Sequence, residues 1–169
     1  HMTPVVFLSE ANIANGAEPW KLPELNALPK IEVVHPVSGM DPFLPYRRDP
    51  KTLARPWAVP GTPGLEHRIG GLAKADVTGN VSYDPENNQR MVNLRAEKVK
   101  RIENDIPEIV VDGPSFGRLL VLGWGGTFGA IYQAVRNLRQ EEKHVSYVHL
   151  NHLNPFPKGL GDLLGRFEQ

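Results

Sequence analysis

The sequence predicts an α/β domain preceded by a proline-rich extended arm, and three observations carry that reading. Residues 118–129 hold the apolar run Leu119-Leu120-Val121-Leu122, then a glycine-rich turn, then the start of an amphipathic stretch. A second apolar strand, Val145 to Leu150, follows directly. Eleven of the sixteen prolines lie at or before Pro63. Consecutive apolar residues without polar alternation suit a strand covered on both faces, and strand–helix–strand with a long crossover implies parallel pairing. Proline at that density excludes long helices and central strands, so the front of the chain is expected to be an arm ordered by what it lies on.

Taken in order, the chain opens on His1-Met2, which reads as a cloning remnant. Val5-Val6-Phe7-Leu8 is a continuous apolar run and predicts a buried strand; with no neighbour in sequence to pair with, it suggests a preceding domain cut away. Residues 10–16 predict a short helical turn. In the arm that follows, Trp20, Phe43, Tyr46 and Trp57 are spaced as anchors, either for packing on its own domain or for a subunit interface.

Glycines then bracket Glu66, His67 and Arg68 within residues 60–71. An acid, an imidazole and a guanidinium together could move protons or grip a carboxylate or phosphate; the plainer reading has all three facing water. Asp84 before Pro85 is an N-cap with proline at the first helical position, and the helix is expected to run to about residue 103. Its apolar side is Met91, Leu94, Val99 and Ile102. Residues 108–112 predict a short strand. Gly113-Pro114 is too short a link for a parallel crossover, so that strand is antiparallel to, or separated from, its successor.

Thr127 is expected to cap the helix 128–140, whose inner face is Ile131, Ala134, Val135 and Leu138. The turn lacks the third glycine of a dinucleotide fingerprint, since Phe128 stands there, and no acid closes the second strand. A packing turn, or one offering N–H groups to another chain, is the better reading. His149 and His152 lie three apart, on opposite strand faces and without further ligands, so no metal site is expected. A last helix, residues 159–167, presents Leu160, Leu163, Leu164 and Phe167 inward; a doubly wound sheet needs further strands, so the carboxyl end also reads as cut.

Composition narrows the partners. Formal charge is zero and no basic stripe exists, which argues against nucleic acid and anionic membranes. No apolar run approaches spanning length, and the expected location is cytoplasmic. Absence of cysteine removes thiolate-bound clusters and disulfides from this chain.

Several strings in one order give a more specific signal. They are Ile13-Ala14-Asn15 with Glu18-Pro19-Trp20, Phe43-Leu44-Pro45-Tyr46, Arg55-Pro56-Trp57, and the loop from Pro60 to Gly71. Gly79-Asn80-Val81-Ser82-Tyr83, Leu122-Gly123-Trp124-Gly125 and residues 152–157 complete them. On these the chain resembles the α subunit of 2-oxoacid:ferredoxin oxidoreductases, most closely the 2-oxoglutarate (KorA-type) branch. It departs from that pattern at Glu10-Ala11-Asn12, where relatives tend to read Asp-Gly-Tyr.

The resemblance implies a C-terminal fragment of an enzyme that decarboxylates a 2-oxoacid on thiamine diphosphate and Mg²⁺. Electrons then pass through an iron–sulfur cluster to ferredoxin, and an acyl-CoA leaves. Residues 1–19 would be the remnant plus the end of a pyrimidine-binding domain, 20–79 the connecting arm and loop, and 80–169 a truncated transketolase C-terminal-like domain of three α/β/α layers. Implied partners are the β subunit, a second α subunit and, through the complex, ferredoxin. The Gly-Asp-Gly…Asn signature that holds the cofactor is missing, so the fragment alone is expected to be inactive and to bind none of these cofactors. Glu66, His67, Arg68 and Asp84 are the candidate residues at the active-site mouth. Alternatives are a subunit-assembly module or a nucleotide-binding α/β domain.

Overall fold

The computed structural model describes residues 1–17, 19–31, 33–39 and 42–169, and the chain divides into two units. Glu18, part of a string quoted above, lies outside the described residues. One unit comprises residues 1–4 and 21–102, the other residues 5–20 and 103–169.

The second unit is a small mixed α/β structure. Its elements are α1 (Ala11–Asn15), β1 (Val111–Asp112), β2 (Leu119–Trp124), α3 (Phe128–Gln140), β3 (Val145–Leu150) and α4 (Leu160–Leu164); α2 (Pro85–Arg101) belongs to the first unit. The three strands lie in the order β1-β3-β2. β2 and β3 pair in parallel from Leu119 opposite Val145 to Trp124 opposite Leu150. β1 is antiparallel to β3, with Val111 opposite Val148, and β3 separates it from β2. The short Gly113-Pro114 link has that consequence: it cannot cross over, so the sheet is mixed rather than purely parallel.

Strand alternation sorts the core into two layers. Leu120, Leu122, Val148 and Leu150 point one way and pack with Leu160 and Leu163 of α4. Leu119, Val121, Val145 and Tyr147 point the other way and pack with Ile131, Val135 and Leu138 of α3. Helices therefore cover both faces, which is why these strands carry no polar alternation. Ala134, expected on the inner face of α3, is exposed. Gly123 is required where β2 runs beneath α3, because a Cβ there would stand 2.6 Å from Ile131 Cδ1.

Three expectations are corrected here. Residues 5–9 form no strand among the described residues, and Val5, Val6 and Phe7 are 80–89 % exposed; an apolar run becomes a strand only where a ladder partner takes its N–H and C=O groups. Thr127 does not cap α3: it has helical dihedrals, and its hydroxyl donates to Trp124 O at 2.7 Å. The last helix is α4 alone and leaves Leu164 exposed. Residues 166–169 instead run along the free edge of β2, where Phe167 pairs in parallel with Gly117 and Leu120 N–H donates to Gln169 O at 2.8 Å.

The first unit has little regular structure besides α2. Asp84 caps that helix by accepting the Glu86 N–H at 3.0 Å, and Pro85 opens it. Met91 is buried; Leu94, Val99 and Ile102 are half-buried, as the periodicity predicts. Of the proposed arm anchors, Phe43 and Tyr46 pack within this unit: Phe43 meets the His67 ring edge-on at 5.3 Å, and Arg55 sits 4.3 Å above the Tyr46 ring. Trp20 and Trp57 are exposed.

Candidate functional site

The sequence-predicted residues fall on a loop and hairpin of the first unit. Residues 60–71 carry glycines at positive φ at both ends, Gly61 (+87°), Gly64 (+80°) and Gly71 (+64°). Leu65, 3 % exposed, roots the loop in the unit. Glu66 and Arg68 are exposed, while His67 is half-buried. His67 Nδ1 lies 2.7 Å from Leu65 O. A carbonyl only accepts, so Nδ1 carries the proton and the neutral ring presents Nε2 as an acceptor. That tautomer suits a base or an acceptor for a donor on a ligand.

The next turn of chain holds this loop in place. Lys74 is buried, pairs with Val81 in a short antiparallel bridge, and sends its ammonium to Gly70 O at 2.8 Å and to Gly71 O. Asn87 of α2 donates to Lys74 O and accepts the Asp76 N–H, both at 2.9 Å. Asp76 is flanked by Arg48, in a close ion pair, and Arg90, 2.8 Å away. Gly79 lies flat on Tyr46, where a Cβ would come within 2.7 Å of the ring.

Glu66 and Arg68 are thus exposed on either side of His67, whose ring packs against Phe43. Asp84 makes no bond with them; its carboxylate is occupied at the head of α2. Lys74 and Asp76 are the residues that sequence reading passed over. The only signal was a lysine set among Leu72, Ala73 and Ala75 directly after Gly70-Gly71.

In the second unit, the carboxyl ends of β2 and β3 lead to helices on opposite faces, the arrangement that opens a crevice at a sheet edge. Tyr147 OH and His149 Nδ1 are 2.7 Å apart, beneath the Phe128 ring, 5.1 Å from that of His149. Burial pushes the Tyr147 phenol above its ordinary pKa. Glu10 fills the approach to the glycine turn: a Cβ on Gly126 would be 1.7 Å from Glu10 Oε1. The turn is thus packed by Glu10 within the unit. His152 is exposed, and among the described residues no group of three or more His, Asp or Glu is placed to hold a metal.

No family model matches the chain. Over 98 % of its length, however, it is 49 % identical to subunit KorA of 2-oxoglutarate oxidoreductase from Mycobacterium tuberculosis. The chain is homologous to that subunit over about a quarter of the subunit's length. The α subunit of 2-oxoacid:ferredoxin oxidoreductase 1 from Aeropyrum pernix is 28 % identical over 98 % of the chain. The fold is shared with a solved 2-oxoglutarate:ferredoxin oxidoreductase from Magnetococcus marinus, which holds 2-oxoglutarate, coenzyme A and succinyl-CoA; the match covers 80 % of this chain at a TM-score of 0.68 and 24 % identity. The chain spans about a quarter of the length of these α-subunit relatives, 25 % and 26 % of the two curated proteins.

Proposed function

We propose that the chain serves as part of the α subunit of a thiamine diphosphate-dependent 2-oxoglutarate:ferredoxin oxidoreductase. Such an enzyme oxidatively decarboxylates its 2-oxoacid to an acyl-CoA and passes electrons to ferredoxin. The observation that carries this reading is 49 % identity over nearly the whole chain to a 2-oxoglutarate oxidoreductase subunit. Coenzyme A and succinyl-CoA in the Magnetococcus marinus structure support the choice of acyl acceptor.

In this reading the cofactor centre lies on other parts of the enzyme. A diphosphate–Mg²⁺ site needs converging oxygen donors, and among the described residues no three His, Asp or Glu converge. Without cysteine, the chain cannot ligate an iron–sulfur cluster through thiolates. Its share is therefore scaffold and site mouth, with the β subunit, a second α subunit and ferredoxin as partners in a cytoplasmic complex. In this assignment residues 1–19 close a pyrimidine-binding domain, 20–79 are the connecting arm, and 80–169 are the transketolase C-terminal-like domain.

Glu66, His67 and Arg68 are assigned to the mouth of the active site, with the Arg68 guanidinium facing the anionic groups of the acyl acceptor and His67 Nε2 open to an N–H or O–H donor on it; Asp84 holds the adjoining helix and stands at the same mouth. Alanine at His67 and Arg68 in the assembled enzyme should lower kcat/KM for coenzyme A by about tenfold to a hundredfold with assembly intact. Lost assembly with unchanged turnover per assembled complex would count against that role. It would favour the reading as an assembly module, which the exposure of Val5, Phe7, Trp20 and Ile31 also supports.

A further inference from the structure

We propose that Lys74 is a latch that sets the resting position of the loop carrying Glu66, His67 and Arg68, with Leu72 as the sprung hinge it holds. Lys74 is only 7 % exposed, yet its ammonium donates to two neutral acceptors, the consecutive carbonyls of Gly70 and Gly71, and forms no ion pair among the described residues. A buried ammonium is ordinarily matched by a carboxylate. Here the carbonyls at the exit of the loop take that place, so the charge is stabilised only while the loop stays where it is.

The hinge supplies the second observation. Gly71 has φ +64°, and Leu72, the next residue, has φ +55°. Glycine adopts that conformation freely, whereas a leucine there is strained because its Cβ crowds the carbonyl oxygen. Burial of the leucine side chain does not offset the strain, since it is 66 % exposed. A strained residue persists where the surroundings over-determine it. The fixed end of this hinge is well tied down, by Ser82 N–H to Ala73 O at 2.9 Å and by the Asn87 bond to Lys74 O. The Lys74 ammonium reaches back from that fixed end to clamp the two residues just before Leu72. Breaking those two bonds frees the peptides on either side of Gly71, and Leu72 relaxes by rotating the loop away.

The role suggested for this movement rests on the proposed function, in which the loop covers the active-site mouth. Lys74 is then a positioning residue acting through the loop, and it touches no substrate.

The test uses amide hydrogen exchange on the 169-residue chain with Lys74→Met, which keeps the apolar stem and removes the ammonium, and with Leu72→Asn, which tolerates positive φ and sits on the surface. Lys74→Met should speed exchange at Leu65, whose N–H donates to Thr62 O at 3.2 Å, by about tenfold or more and leave α2 unchanged. Leu72→Asn added to Lys74→Met should recover much of the protection, because an unstrained hinge needs less holding. A lysine that merely fills space would show no such recovery, and that result, or unchanged exchange in Lys74→Met, overturns the latch. Should Lys74→Met unfold the unit, Leu72→Asn alone still decides, since a sprung hinge predicts slower exchange at Leu65. In the assembled oxidoreductase, Lys74→Met should shift KM for coenzyme A and Leu72→Asn should shift it back. Altered exchange with an unmoved KM upholds the latch and removes the loop from the active-site mouth.

Discussion

At the scale of single residues, this chain is governed by where a Cβ or a proton can stand. Gly113 has φ +113°, and a Cβ there would lie 2.6 Å from Arg139 Nη2. Arg139 needs that approach: it bonds Asp112 through Oδ1 at 2.8 Å and through its carbonyl, and donates Nε–H to Val145 O at 2.9 Å. The guanidinium thereby ties β1 to the start of β3. Gly113→Ala should cost roughly 2–4 kcal/mol in urea unfolding, combining backbone strain with displacement of the clamp. A loss below about 0.5 kcal/mol would show that the clamp carries no stability. Asp49 offers a pH-dependent counterpart. The Thr52 backbone N–H, followed by its hydroxyl, holds the Asp49 carboxyl below its ordinary value of 3.8. A depressed folded pKa stabilises above the unfolded value and is lost as pH falls through the folded one. The turn at residues 49–54 should therefore loosen only in acid below the ordinary aspartate range, read from the Thr52 amide shift. Asp49→Asn should remove that dependence.

At the scale of elements, local chemistry and packing separate cleanly. The head of α2 was readable because Asp84-Pro85 is a local signal, and Asp84→Ala should destabilise the unit by about 1 kcal/mol. Asp84→Ser, which caps as well, should leave stability intact; if turnover of the assembled enzyme also survives, Asp84 is a cap and nothing more. The seat of α3 depends instead on Gly123. A methyl there must push Ile131, so Gly123→Ala should cost about 1–3 kcal/mol in thermal unfolding. Thr127 failed as a cap because its hydroxyl had a nearer acceptor in Trp124 O. Candidate caps compete with turn bonds that only the folded loop reveals.

For the whole molecule, the governing fact is how much apolar surface faces water. Val5, Phe7, Trp20, Leu25, Ile31 and Val34 are each more than three-quarters exposed. A chain spanning a quarter of its relatives' length, with this surface, is expected to gain order from what normally covers it. On the proposed function, the purified chain should bind a hydrophobic dye and show no 2-oxoacid turnover, and adding the proposed β subunit should quench the dye signal. Dye binding unchanged by the partner would remove the arm from the subunit interface.

The sequence by itself determined the parallel β-α-β unit, a first strand that is no parallel neighbour of the second, α2 with its cap, and the resemblance to oxidoreductase α subunits. Each of these rests on near neighbours in the chain or on many short strings read together. Tertiary structure decided that the run at residues 5–8 stays out of the sheet, that residues 166–169 leave the helix for the β2 edge, and that Lys74 holds two glycine carbonyls. Those outcomes depend on which distant backbone groups find partners, and pairing between distant groups leaves no periodicity in the chain.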